Sequence, residues 1–295
     1  MSVGEKTRIL IPLDGSTSGE AVLLALLPLI RARRIESTLF HVAGSREEEK
    51  KAEVYLEMRR KALETQGVTT RARIVSGRPV EEILRQAGAG LFDLIAMSTH
   101  GRTGLDRVLM GSVAEEVVRS SPVPTLLCRK GSCIGDWGRI VVALDGTPGS
   151  EEVLGDAVRL GRSLHATLHL VTVGLSLLRS DRYRGVHFEY PGEDSTPYLE
   201  EVAIRLISQG VPAIAERREG MAGVEIPRLA RDVEAGLICM TTEGRPEQVP
   251  GLDRSVAAEV IRSAPCPVFV RRMAGAPGTK GKPHKPAAPG GRSLA

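Results

Sequence analysis

RILIPLDGSTSGEAVL, residues 8–23, returns as RIVVALDGTPGSEEVL, residues 139–154. In both stretches an apolar run closes on Leu-Asp-Gly, so Asp14 matches Asp145. Further on, SVAEEVVRSSPVPTLLCRK from Ser112 returns as SVAAEVIRSAPCPVFVRRM from Ser255. The second pair is more widely separated than the first, which implies a longer middle segment in the second copy. A repeat of this size is a duplicated domain and not a solenoid of short units. The chain's 295 residues suit two domains of about 100–150 residues each.

Within each copy, short β-rich runs alternate with longer helical patterns, the signature of a parallel sheet covered by helices. In the first copy ILIPL (9–13), TLFHV (38–42), RARIV (71–75), LIAM (94–97) and TLLC (125–128) read as strands. Glu20 to Arg34, Glu47 to Gln66, Val80 to Ala89 and Val113 to Ser120 read as helices, with Thr17 and Glu20 at capping-box spacing before the first. In the second copy the strands are 140–144, 167–171, 214–218, 237–240 and 268–271, and Tyr198 to Ser208 is the clearest middle helix. Leu177 to Thr196 reads as a long loop with a broken helix. The expected fold class is therefore α/β: two tandem domains, each an open five-stranded parallel sheet flanked by helices. Domain 1 spans 1–130, a linker 131–138 holds Trp137, and domain 2 spans 139–273.

Residues 274–295, AGAPGTKGKPHKPAAPGGRSLA, are rich in Gly, Pro and Ala and read as a disordered basic tail. The tail carries Lys280, Lys282, Lys285 and Arg292 with no acidic residue, which accounts for the whole net charge of +4. The charge-neutral remainder argues against a nucleic-acid partner. No apolar run approaches the roughly 20 residues of a membrane helix, and the first ten residues lack the apolar core of a signal peptide. The expected address is the cytoplasm, with no membrane partner. The four cysteines (Cys128, Cys133, Cys239, Cys266) are dispersed and show no zinc-site spacing. With 42% hydrophobic and only 3% aromatic residues, the cores are expected to be aliphatic.

The segment with most chemistry follows the fourth strand: MSTHGRTGLDRVLMGSVAEEV, residues 97–117. It is a Gly-rich loop running into a helix expected to be capped by Ser112. A helix N-terminus offers free backbone N–H groups and a favourable dipole to a phosphate. Gly101, Gly104 and Gly111 permit close backbone approach. Asp14, His41 and this loop all fall at the C-terminal ends of strands, where ligands bind in parallel α/β sheets. Ser112 with Glu115 also has the spacing of an ordinary capping box, and His100 can equally be a loop histidine that only packs. There is no Walker A lysine pattern.

The loop resembles the ATP-binding signature of the universal stress protein family: a Gly, two residues, a Gly, nine residues, then Gly-Ser or Gly-Thr. Gly101 is followed by residues 102–110 and then Gly111-Ser112, while Ser98 stands where the first Gly is expected. The Leu-Asp-Gly-Ser opening, Phe92-Asp93-Leu94-Ile95 and the Pro-Val-Pro before the last strand match too. The resemblance covers nearly the whole chain, twice, and stops at the tail. It implies a Rossmann-like sheet of the adenine nucleotide alpha hydrolase-like kind. It also implies that Asp14 and Val42 hold adenine and ribose, with Pro12 beside the base. Met97, Ser98, His100 and Gly101 would line ribose and phosphates, and Gly111, Ser112, Val113 and Ala114 would hold the triphosphate. Mg²⁺ or Mn²⁺ would bridge the phosphates. The family's habit of pairing last strands implies an intramolecular pseudo-dimer of the two domains, and a homodimer of the chain is a further arrangement it allows.

In the second copy the loop reads MTTEGRPEQVPGLDRSVAAEV from Met240. Gly244 matches Gly101, but Arg254 replaces Gly111, Glu243 replaces His100 and Glu247 adds a carboxylate. Two added carboxylates repel a triphosphate, so ATP is expected mainly in domain 1. No nucleophile–base pair or carboxylate dyad marks a dedicated enzyme, although slow ATPase activity is compatible with the loop. The expected function is an ATP-binding sensor in stress signalling. The alternative is a nucleotide-independent interaction module in which the Gly-rich loop is structural.

Overall fold

The computed structural model describes residues 6–31, 35–100, 110–132, 137–174, 196–243, 255–274 and 292–294. Contacts divide the chain into two units, with the change between Gly131 and Ser132. In the first unit β1 (Thr7–Pro12) leads through α1 (Ala21–Ala25) and α2 (Leu27–Arg31) to β2 (Ile35–Ala43). There follow α3 (Arg46–Glu64), β3 (Thr69–Ser76), α4 (Pro79–Gly88), β4 (Leu94–Ser98), α5 (Ser112–Ser120) and β5 (Thr125–Cys128). The strands lie parallel in the order β3-β2-β1-β4-β5. This is the doubly wound order, which reverses direction between β1 and β4 and opens a crevice at their C-terminal ends. β1 pairs with β4 only through Ile9 and Leu10, so the two strands part before Pro12 and Met97.

The middle strands are largely apolar because both faces are covered. Ile9, Leu10, Ile11, Leu39, Phe40, Ile95, Ala96 and Leu126 are completely buried. The long helix expected over 20–34 is instead the two short helices α1 and α2. Pro28 supplies no amide donor, and its ring crowds the carbonyl one turn earlier, so a continuous helix is broken at Leu26. The expected Thr17–Glu20 box is absent as well. Glu20 is the N-cap of α1 without a side-chain bond, and its carboxylate instead takes the Arg59 guanidinium of α3 at 2.7 Å. The side-chain cap lies at α3, whose N-cap is Ser45. Ser45 Oγ accepts the Glu48 N–H at 3.2 Å, and the Glu48 carboxylate accepts the Gly44 N–H at 2.8 Å.

The second unit repeats the plan with β6 (Arg139–Ala143), α6 (Pro148–Glu151), α7 (Leu154–Leu164), β7 (Thr167–Gly174) and α8 (Thr196–Ser208). It continues with β8 (Ala213–Glu219), α9 (Ala222–Asp232), β9 (Leu237–Thr242), α10 (Val256–Ser263) and β10 (Val268–Arg272). The parallel order is β8-β7-β6-β9-β10. Register fixes the correspondence: Ile9 faces Ser37 in one unit and Ile140 faces Leu168 in the other. His41 therefore corresponds to Thr172, although TLFHV and TLHLV invite a different alignment. Duplication extends to side chains. Glu151 binds Tyr198 and Arg205, as Glu20 faces Tyr55 and Arg59, and burial with the nearby carboxylate raises both phenols above their usual range.

Three features qualify the expectations. Trp137, assigned to a linker, is buried at 2% exposure. Within the tail expected to be disordered, β11 (Arg292–Leu294) pairs antiparallel with Ile74, Arg73 and Ala72 of β3. The outer edge of β3 presents unpaired backbone groups that such a segment can satisfy, so the first sheet gains an antiparallel sixth strand. The expected loop over Leu177 to Thr196 falls largely outside the described residues. Among the described residues no helix is long and apolar enough to cross a membrane.

Candidate functional site

At the C-terminal ends of β1, β2 and β4 lies a cavity of about 440 Å³. Ten of the eleven residues expected at the site line it: Pro12, Asp14, Val42, Met97, Ser98, His100, Gly111, Ser112, Val113 and Ala114. Gly101, the eleventh, lies outside the described residues, as do Gly104 and the second copy's Gly244, Glu247 and Arg254. The volume is in the range of small-molecule sites, about 300–1,000 Å³.

The base of the cavity is the turn after β1. Asp14 Oδ1 accepts the Ser16 N–H at 3.0 Å and the Ser16 hydroxyl at 2.7 Å, while Gly15 takes φ +81°. This Asx turn needs a residue at ease in the left-handed region. Asp145 repeats it, accepting the Thr147 N–H at 2.9 Å and its hydroxyl at 2.6 Å beside Gly146 at φ +81°. The retained Leu-Asp-Gly of both copies thus has a structural cause independent of any ligand.

Ser98 is also used internally. Its hydroxyl donates to the Gly19 carbonyl at 2.9 Å and accepts the Val22 N–H at 3.2 Å, tying β4 to the start of α1. A Ser in place of Gly therefore leaves the backbone of residue 98 on the cavity wall while its hydroxyl belongs to the fold.

The opposite wall is the start of α5. The N-cap is Gly111 (φ −60°, ψ 142°), not Ser112 as expected, and Ser112 is the first helical residue. The first intrahelical bond runs from the Glu115 N–H to the Gly111 carbonyl at 3.0 Å. The Ser112, Val113 and Ala114 amides precede it and are the first-turn donors with no helical acceptor. Gly111 donates its own N–H to the Thr99 carbonyl at 2.8 Å. A Cβ at Gly111 would stand 3.1 Å from that carbonyl oxygen, so the loop's return to β4 leaves little room for a side chain. His100 Nδ1 meets Thr99 Oγ1 at 3.0 Å, and its Nε2 is buried with no hydrogen-bond partner among the described residues.

Among the lining residues left out of the expected set, the titratable ones are His41 and Glu48. His41 is 3% exposed, with Nδ1 2.7 Å from the Leu13 carbonyl oxygen and Nε2 3.8 Å from Glu48 Oε1. Its position at a strand end was visible, but its orientation was not. The Ser45-x-x-Glu48 capping spacing was the signal for Glu48. Among the described residues no group of three or more His, Cys, Asp or Glu could hold a metal ion.

A doubly wound sheet built twice in one chain, with a crevice at the first unit's switch point walled by a helix N-terminus, defines a tandem Rossmann-like α/β protein. The chain belongs to the universal stress protein family, whose profile matches residues 6–129 and again 137–272. It is similar to a universal stress protein of Methanocaldococcus jannaschii, 41% identical over 71 residues, which are 24% of this chain and 42% of that protein. A second from the same organism is 39% identical over 71 residues, 24% of this chain and 44% of that protein. The chain spans less than half the length of these curated relatives. A solved universal stress protein from Archaeoglobus fulgidus shares the fold at TM-score 0.73 and 22% identity, over 92% of this chain and 98% of that one.

Proposed function

We propose that the first unit binds ATP and that the protein senses adenine nucleotide in a stress response. The observation that carries this reading is the convergence of Pro12, Asp14, Val42, Met97, His100 and the Gly111–Ala114 amides on one cavity. The apolar side of the cavity, with Pro12, Phe40, Val42, Ile83 and Met97, suits a purine. The first turn of α5 suits phosphates, through its N–H groups and dipole. Mg²⁺ or Mn²⁺ would accompany the triphosphate, and occupancy would act by favouring one conformation over another. The second unit serves as a partner of the first. Slow hydrolysis is compatible with the site, but a dedicated enzyme is not part of the proposal.

One observation favours the alternative of a nucleotide-independent interaction module: Asp14 Oδ1 and the Ser98 hydroxyl both serve the fold. Calorimetric titration with ATP, beside a Gly111→Arg variant copying the second copy's loop, separates the two. Binding of one ATP per chain, lost in a folded variant, supports the sensor. Absence of binding in the folded wild-type protein supports the module.

A further inference from the structure

We propose that His41 is a positioning residue of the first unit's cavity, holding the Leu13–Asp14–Gly15 turn in place through Nδ1–H. The proposal rests on the reading of this cavity as a nucleotide site only where it concerns affinity. The partner of Nδ1 is a backbone carbonyl, Leu13 O at 2.7 Å. A carbonyl can only accept, so Nδ1 must carry a proton and the ring sits in its Nδ1–H form. That bond reaches from β2 across to the residue just before Asp14. The Asp14 carboxylate then closes the turn on Ser16.

The other edge of the ring looks toward α3. Nε2 is buried without a hydrogen-bond partner and stands 3.8 Å from Glu48 Oε1, and the Glu48 carboxylate also accepts the Gly44 N–H at 2.8 Å. His41 and Glu48 both line the main cavity and an adjoining one of about 520 Å³ that reaches Tyr55. The imidazole thus stands between the β1 turn and the first turn of α3, at the point where the two cavities meet.

The second unit holds its turn differently. Thr172 stands at the position of His41, and its buried Oγ1 has no hydrogen-bond partner among the described residues. There the Asp145 N–H is taken by the Ser150 hydroxyl at 3.2 Å. The residue corresponding to Ser150 is Gly19, which has no side chain to offer. The first unit thus has a histidine bond to its turn, and the second a serine bond to its own.

The test uses the full chain with His41→Leu and His41→Asn, whose amide N–H can take the place of Nδ1–H. Hydrogen exchange of the Ser16 amide reports the turn without any ligand, and calorimetry reports ATP affinity. In His41→Leu we expect faster Ser16 exchange and ATP binding weakened about tenfold, equivalent to about 1.4 kcal/mol, with His41→Asn within about threefold of wild type. Wild-type behaviour of His41→Leu in both assays overturns the proposal, as does equal damage in the two variants. If wild type binds no ATP, the nucleotide reading fails alone, while Ser16 exchange still decides the role of His41. If His41→Leu does not fold, ¹⁵N shifts of the wild-type ring decide: a proton on Nε2 only overturns the proposal, and a proton on Nδ1 with normal Ser16 exchange in His41→Asn supports it.

Discussion

Ser98→Ala separates a structural hydroxyl from a ligand-binding one. The Ser98 side chain makes two bonds, to the Gly19 carbonyl and from the Val22 amide, and it is 8% exposed. Each buried bond contributes about 1 kcal/mol net, so the substitution is expected to destabilise the first unit by about 2 kcal/mol. For a unit of this size that lowers its melting temperature by about 6 °C. Ser98→Gly adds the backbone freedom of glycine in a strand and is expected to cost about 1 kcal/mol more. Calorimetric unfolding of the full chain measures this, followed by ATP titration of the same samples at a temperature where both variants are folded. ATP affinity in Ser98→Ala is expected to stay within about twofold of wild type, below about 0.5 kcal/mol. Unchanged stability with lost ATP binding would refute the reasoning, because the hydroxyl would then belong to the ligand.

Other expectations follow from the same geometry. Ser45→Ala removes the α3 cap and should lower stability by about 1 kcal/mol in urea denaturation. Asp156, buried on α7, binds both Arg159 and Arg271. Arg271→Ala should therefore destabilise the second unit by about 3 kcal/mol, whereas Asp156→Ala with Arg271→Cys, which copies Ala25 and Cys128, should largely restore it. Burial pushes the Cys128 thiol up to about 12 from 9.0. The unfolded chain therefore releases this proton first as pH rises. Stability is expected to fall between about pH 9 and 12, by up to about 1.4 kcal/mol per pH unit, less steeply in Cys128→Ala.

Strand positions were legible because strands covered on both faces are mostly apolar, as Leu94–Ser98 and Thr125–Cys128 are, buried along their whole length. The helix-covered parallel sheet followed from the α/β alternation, whereas the order of its strands and the crevice between β1 and β4 came only with the strand pairings. The expected site residues were named from the resemblance of the loop to the family's signature, and ten of them line one cavity. What escaped was the direction of single polar groups. Thr17–Glu20 and Ser45–Glu48 share one spacing, yet only the second caps a helix, and Glu20 is instead paired with Arg59 from across the fold. The hydroxyl of Ser98 and the imidazole of His41 have partners far away in sequence, which local pattern does not register. β11 was hidden in a segment too poor in apolar residues to announce a strand; what holds it is the backbone edge of β3.

The most direct test of ATP binding by the first unit is photolabelling of the full chain with an azido-ATP, followed by mass-spectrometric mapping of the labelled peptides. Label on peptides holding Pro12–Asp14 or Val42, competed away by ATP, is the predicted result. Label confined to residues 139–273, or label that ATP does not displace, would contradict it.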